Sequence, residues 1–259
     1  MSSFTSVDPV GSAYAPNTVH PHIEHGVFVR RLNSLYPLQP HESKTLEALV
    51  ETAYTVAPHR DILHEQQPAK EALVLLEGLA CHYKVLDSAR RQMTGFVLPG
   101  DFCDFGFLSS SVTRQSVMSL GRVVVGRIDL RQLSAVADKM PNILVAAMRA
   151  ASVDQACARE LVISLGARDA LQRLAHFLCE LHHRSRIVGL VNANAEFDLS
   201  MTQAEMGEAL GLSTVHINRT IQQLRKRKLI AMGQGVATIL DAAGLEAVAS
   251  FDGRYLRPN

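Results

Sequence analysis

The segment from Thr202 to Leu229, TQAEMGEALGLSTVHINRTIQQLRKRKL, constrains this chain more than any other. Thr202 followed three residues later by Glu205 has the pattern of a reciprocal cap at a helix start. Met206 and Leu210 follow at helical spacing, and Gly211 supplies a stop. Leu212 anchors a tight turn, after which Ser213 or Thr214 caps a second helix. That helix carries Ile217, Ile221 and Leu224 on one face. Its other face is polar: Thr214, His216, Asn218, Arg219, Gln222, Gln223, Arg225 and Lys226.

Two short helices joined at a glycine turn make a helix-turn-helix, and the chemistry of this one suits double-stranded DNA. The apolar face packs on the first helix, so polar residues near the N-terminal end are free to reach base edges in the major groove. Arg219 can grip O6 and N7 of guanine, and Asn218 or His216 can meet bases or phosphates. The run Arg225–Lys228, RKRK, places four positive charges where the duplex backbone would pass. Thr202, Gln203, Ser213, Thr214, Val215, Gln222, Arg225 and Lys226 complete the expected contact set. The following LIAMGQGVATIL predicts two short strands around Gly233, Gln234 and Gly235, a wing-like hairpin. An amphipathic helical pair with a solvated charged face is the plainer alternative. The turn glycine, the Leu-Ser pair, the basic end and the hairpin agree with one another and favour the helix-turn-helix.

A net charge of only +1 over 259 residues makes any nucleic-acid signal a local one. The four cysteines, Cys81, Cys103, Cys157 and Cys179, form neither a CxxC pair nor a metal-finger spacing. No basic start followed by an apolar run is present, and no apolar stretch approaches the roughly 20 residues needed to span a bilayer. The expectation is a reduced, cytoplasmic protein with no membrane partner.

Residues 1–25, rich in Ser, Pro, Thr and His, read as a flexible extension, and His20, His22 and His25 as part of that polar tail rather than a metal site. HESKTLEALVETA carries Leu46, Leu49, Val50 and Ala53 at helical spacing. From Tyr54 to Ile128 short β-like runs (ALVLLEG, LACHYKVL, RQMTGFVL, RVVVGRI) alternate with turn chemistry such as Glu77-Gly78 and Pro99-Gly100-Asp101. Such spacing suggests a sandwich or roll. After Ile128 the pattern is helical. A long helix is predicted from Pro141 to Gly166, with Ile143, Leu144, Ala147, Met148, Ala151 and Leu161 among its apolar positions. A second helix, ARDALQRLAHFLCELHHR, and a loop through Asn192–Asn194 follow. The predicted domains are a β-roll over 26–140, the long helix over 141–166 and a winged helix-turn-helix over 167–259.

The order of a strand-rich domain, a long helix and a winged helix-turn-helix resembles the Crp/Fnr family of transcription regulators over roughly residues 26–250. VLPGDFCDFGF looks like the family's roll segment, PNILVAAMRAASVDQACARELV like its dimerising helix, and GEALGLSTVHINRTIQQLRKRKLI like its DNA reader. The resemblance implies an α+β fold: an N-terminal double-stranded β-roll of the cyclic-nucleotide-binding kind, a long dimerisation helix and a C-terminal winged helix-turn-helix. It also implies a homodimer on an inverted-repeat promoter site, with contacts to RNA polymerase.

Cyclic-AMP-binding members carry a Gly-Glu after the GDF element and an Arg-Ser pair ten residues on. Counted from Gly100 without gaps, these fall on Asp104-Phe105 and Gln115-Ser116, and the Thr-Ser pair that meets adenine falls on Ala158-Arg159. With no guanidinium for the phosphate, and Asp104 repelling it, cyclic AMP is not expected. Arg114 sits one place away and serves only if the register slips. Residues 1–80 contain no cysteine, against the family's iron-sulfur branch. The haem branch's Cys-x-His is matched by Cys103 but not by Phe105. No cofactor is therefore expected.

Asp101 and Asp104 beside Cys103 raise rather than lower a thiol pKa, so the cysteines read as structural. His176, Cys179 and His183, spaced i, i+3 and i+7, permit a metal site but read more simply as a core thiol with flanking histidines. A cupin-like enzyme would need clustered metal ligands, where the roll offers His82 in a strand-like run with His59 and His64 near its start. No GxSxG, HExxH, phosphate loop or dinucleotide fingerprint appears, and no enzyme activity is expected. An adaptor acting through protein partners is the remaining alternative. Val215 stands where the best-known family members place a Glu that reads cytosine, which favours a thymine methyl instead.

Overall fold

The computed structural model describes residues 26–86, 91–108 and 112–257. The expected N-terminal extension, with His20, His22 and His25, lies outside the described residues.

The chain is α+β. It begins with two helices, α1 (Gly26–Leu35) and α2 (Pro40–Ala48). The first was not anticipated, although its buried residues Val27, Phe28, Arg31, Leu32 and Leu35 follow a helical period. The second starts at Pro40 in the first turn, where a missing N–H costs nothing. It is shorter than HESKTLEALVETA suggested, because Ala53 lies in strand β1 (Thr52–Val56), which pairs with β7 (Val123–Asp129). Leu49, Val50 and Ala53 are buried, but not as one helix face.

The roll comprises two sheets. Strands β1, β7 and β3 (Glu71–Glu77) form one in that order. Strands β2 (Asp61–Leu63), β6 (Ser116–Ser119), β4 (Ala80–Val85) and β5 (Arg91–Val97) form the other. Strand β3 shows why the sequence read as a continuous apolar run. Its Leu73 and Leu75 point between the sheets with Ile62, Val97, Val117, Val123 and Val125, while Ala72, Val74 and Leu76 face α1, α2 and the long helix. A strand buried on both faces loses the alternation of a half-exposed one.

Helix α3 (Leu130–Lys139), capped by Asp129, leads into α4 (Pro141–Ala167), the predicted long helix. A break at Arg168 and a reciprocal cap between Asp169 and Gln172 start α5 (Ala170–Ile187). Strand β8 (Glu196–Asp198) precedes α6 (Gln203–Leu210), α7 (Thr214–Lys226), β9 (Ile230–Gly233), β10 (Val236–Ile239) and α8 (Ala242–Ala249). The outer face of β4 and β5 packs against this C-terminal unit. Leu79, Cys81, Tyr83, Met93, Phe96 and Leu98 share one apolar core with Leu174, Phe177, Leu178, Leu181, Met206, Leu210 and Ile217. Among the described residues no helix is long and apolar enough to cross a membrane.

Candidate nucleic-acid interface

The first helix of the reader is built as its residues dictate. The Thr202 hydroxyl accepts from Glu205 N at 3.2 Å, and the Glu205 carboxylate accepts from Thr202 N at 2.7 Å. Gly211 ends the helix in the left-handed region at φ 63, a conformation that disfavours a Cβ. Gly207, absent from the sequence pattern above, allows the close approach of the turn: a Cβ there would lie 2.6 Å from the Leu212 carbonyl oxygen. Ser213 caps α7 by accepting from His216 N.

Helix α7 buries Ile217, Thr220, Ile221 and Leu224. The expected contact residues Thr214, Val215, His216, Asn218, Arg219, Gln222, Arg225 and Lys226 are all exposed, as are Thr202, Gln203 and Ser213. Val215 is 77% exposed at the N-terminal end, a position where an apolar side chain on an isolated monomer gains nothing from burial. Asn218 Nδ2 donates to Gln203 Oε1 at 3.2 Å, tying the reader helix to its partner along the outer edge.

Strands β9 and β10 form the expected hairpin, with β8 added on the far side of β10. Its two turn residues, Gln234 (φ 51) and Gly235 (φ 77), are both left-handed, as a tight twisted hairpin requires. Arg225 donates to the Met232 carbonyl and so couples the basic end of α7 to this wing. One contact from the roll reaches the same edge: His59 Nδ1 lies 3.3 Å from Glu205 Oε1. Nothing in the local sequence signalled it, because His59 lies in the turn between β1 and β2 and Glu205 in α6, far apart along the chain.

The long helix divides the expected dimer residues by face. Ile143 (1% exposed) and Ala147 (4%) pack within the chain, together with Ala146, Ala150, Val153 and Cys157. These two are corrected: the roll and α1 already cover them, so they are not free for a second copy. Leu144, Met148 (59%), Val162 (70%) and Ile163 are exposed, while Ala151 and Leu161 are half-buried. The sequence pattern mixes two apolar faces on one helix, and Val162 and Ile163 extend the exposed one.

In the roll, the segment matching a cyclic-nucleotide site is filled by the chain itself. Asp104 Oδ2 accepts from Gly106 N at 2.6 Å and its Oδ1 from Arg114 N at 3.1 Å. A carboxylate thus holds the backbone donors that a phosphate would need. Gln115 accepts from the Thr94 hydroxyl at 3.2 Å, and Phe105 joins a cluster with Phe102 and Phe107 at centroid separations of 5.6 and 6.4 Å. Between this cluster and α4 remains a cavity of about 10 Å³, lined by Phe105, Val153, Asp154 and Arg184 among others, a space on the scale of a single water.

The four cysteines, His82 and His176 are buried, whereas His59 and His64 are exposed. Burial pushes the Cys81 and Cys179 thiols up to about 12, and raises Cys103, with Asp101 and Asp104 adding to the effect. His82 Nε2 donates to the Cys103 carbonyl at 2.9 Å. His176 packs against Phe251 and Tyr255. Among the described residues no group of three or more His, Cys, Asp or Glu is placed to hold a metal ion.

A roll joined through a long helix to a winged helix-turn-helix defines a class of DNA-binding transcription regulators. Comparison with known proteins agrees. A model of the cyclic nucleotide-binding domain matches residues 54–140 and one of the Crp-like helix-turn-helix domain matches residues 172–248. The chain is 32% identical to the nitrogen fixation regulation protein FixK of Bradyrhizobium diazoefficiens, over 68% of this chain and 73% of that one. It is 28% identical to the transcriptional activatory protein AadR of Rhodopseudomonas palustris, over 86% and 91%. The fumarate and nitrate reduction regulatory protein of Escherichia coli is 25% identical over 83% and 85%. Among solved structures, FixK2 from Bradyrhizobium japonicum shares the fold with a TM-score of 0.66 at 23% identity, covering 76% of this chain and 96% of that one. The chain belongs to the Crp/Fnr family of transcription regulators.

Proposed function

We propose that this regulator binds an inverted-repeat promoter site as a homodimer, with α7 of each copy in successive major grooves, and that cyclic AMP does not control it. The observation that carries the reading is the division of α7 into a buried apolar face and a fully exposed face. The exposed face bears Thr214, Val215, His216, Asn218, Arg219 and Gln222 and ends in Arg225 and Lys226. Arg219 reads a guanine, Val215 meets a thymine methyl, and Thr202, Gln203, Ser213, Arg225 and Lys226 hold phosphates.

The dimer contact runs along α4 through Leu144, Met148, Ala151 and Leu161, extended by the exposed Val162 and Ile163. A twofold axis along such a helix makes the two readers equivalent, so the DNA site repeats in inverted order. The division into a roll over 26–140, a long helix over 141–166 and a reader over 167–259 follows from this reading. So do a cytoplasmic location, contact with RNA polymerase at promoters, and the absence of any catalytic step. Asp104, Phe105 and Gln115 support independence from cyclic AMP.

Selection of bound sequences from random DNA with the full-length protein, alongside sedimentation of the protein alone, tests the reading. An inverted repeat bound by a dimer is expected. A single unpaired half-site, or a monomer on DNA, would overturn it.

A further inference from the structure

Roll and reader meet across a broad apolar contact, and the buried charges at that contact converge on Asp101, in the turn after β5. Its Oδ1 accepts from Arg31 Nε at 2.8 Å, and its Oδ2 accepts from Arg184 Nη2 at 2.6 Å and from Leu98 N at 3.0 Å. Arg184 sits in the last turn of α5, inside the stretch matched by the Crp-like helix-turn-helix model. The same Nη2 also donates to the Phe96 carbonyl of β5 at 2.9 Å, and Nη1 lies 3.4 Å from Glu180 Oε1. Glu180 in turn accepts from the Tyr255 hydroxyl at 2.7 Å. One guanidinium of the reader is therefore held by a backbone carbonyl and a carboxylate of the roll, and through Glu180 by the C-terminal turn. Helix α1 adds a parallel strut, in which Arg30 Nε donates to the Val188 carbonyl at 2.7 Å just past α5.

The apolar part of this contact is non-directional: Phe96 against Phe177, or Leu98 against Leu181, tolerates a small rotation with little loss. The Arg184 guanidinium does not, because its Nη2, shared by the Asp101 carboxylate and the Phe96 carbonyl, and its Nη1, facing Glu180, are fixed in one plane. Burial by itself would raise the Asp101 carboxyl, but Arg184 and Arg31 outweigh burial and hold it below the usual carboxylate value. A buried ion pair of this kind adds little net stability compared with an apolar replacement. Its distinctive contribution is geometry.

We propose that Arg184, clasped by Asp101 and the Phe96 carbonyl, is the positioning residue that sets the angle of the reader to the roll, and thereby the half-site spacing the protein accepts. The proposal rests on the reading of a homodimer on an inverted repeat. Half-sites lie on one face of the duplex only when their separation matches the helical turn, roughly 10 base pairs. A spacer changed by two base pairs must be met either by twisting DNA or by rotating a reader. With the clasp intact the reader does not rotate and the DNA bears the cost.

The test is selection from a library in which the half-site is constant and the spacer varies, using the full-length protein and three variants: Arg184→Gln, Arg184→Lys and Asp101→Asn with Arg184→Gln. The wild type should favour one spacer by roughly ten-fold or more over spacers two base pairs longer or shorter, matching the cost of deforming DNA. The double variant, which removes both the carboxylate and the guanidinium of the clasp, should keep the half-site sequence while its spacer preference falls to about two-fold or less. A folded, dimeric double variant with the wild-type spacer preference would overturn the clasp. If the double variant does not fold, Arg184→Lys decides: it keeps the charge but loses the planar pair of nitrogens that reach Asp101, the Phe96 carbonyl and Glu180, so an unchanged preference overturns the proposal and a weakened one supports it. A wild type that selects no paired half-sites would remove the dimeric reading and the clasp with it. Loss of spacer preference with the half-site retained bears on the clasp alone.

Discussion

Asp104 Oδ1 accepts the backbone N–H of Arg114 at 3.1 Å, ten residues further along the chain. The same carboxylate caps Gly106 N at 2.6 Å, and on the function proposed above this anion stands where a cyclic phosphate would bind. Adding cyclic AMP should therefore leave DNA affinity unchanged, within about two-fold, in a fluorescence anisotropy titration. A clear enhancement would mean that the Asp104 carboxylate is displaced.

Base reading should divide between Arg219 and Val215. Replacing Arg219 by Ala should remove about 1–3 kcal/mol of discrimination at one symmetric base pair, without abolishing binding to other sequences. Val215→Glu should move the preference at its own base pair toward cytosine, whose N4 amine a carboxylate accepts. Site selection with each variant checks both, and an unchanged motif for Val215→Glu would place that side chain away from the bases.

The basic end of α7 should govern salt dependence. Binding of the wild-type protein should weaken steeply as salt rises. Lys226→Ala should lower affinity evenly across sequences and reduce the slope of log K against log salt by about 1 per protomer. Arg225→Ala should do more, because Arg225 also holds the Met232 carbonyl of the wing. A flat salt response would count against phosphate contacts by Arg225–Lys228.

Acid should destabilise the fold well before the carboxylates titrate. Burial, reinforced by Arg168, lowers His176 to about 4, with Glu160 opposing. Burial, reinforced by Arg257 and Arg186, lowers His183 to about 4 as well. Unfolded histidines take up a proton near pH ~6.5, so between about 6.5 and 4 the unfolded chain binds protons that the folded chain refuses. Stability should fall progressively as pH drops through that window. Thermal melts at steps of pH should show it, and His176→Phe should flatten the dependence.

Gly211 is the local test of the reader's turn. At φ 63 its would-be Cβ also meets Leu165 Cδ2 at 3.3 Å. Gly211→Ala should cost about 1–2 kcal/mol in denaturant unfolding, against a smaller loss for an exposed Gly233→Ala, where no atom lies within 4 Å.

The reader was legible because its signals are local. Thr202 and Glu205, Gly211 and Ser213 act within one or two turns of chain, and the period of Ile217, Ile221 and Leu224 names the buried face without any knowledge of the partner. The wing was legible for the same reason. By contrast, the phase of the long helix was not. Ile143 and Leu144 look alike in a periodic pattern, yet one is covered by the chain's own roll and the other is exposed. Which apolar stripe of a helix with two such stripes faces inward depends on what packs there. Helix α1 carries a regular period in Val27, Phe28, Leu32 and Leu35, but it is short and directly follows a polar segment.

The sequence by itself determined the kind of machine: a helix pair whose outer surface carries the chemistry of DNA, following a strand-rich domain and a long helix. Caps, stops and periodicities are short-range forces and survive translation into one dimension. Only the tertiary structure decided how the reader is held. Arg184 and Asp101 are 83 residues apart and share no local pattern. Each alone reads as a surface charge, since isolated Arg and Asp favour water. They become a clasp because packing β5 against α5 takes both out of water at once, and a buried charge is stable only beside its opposite.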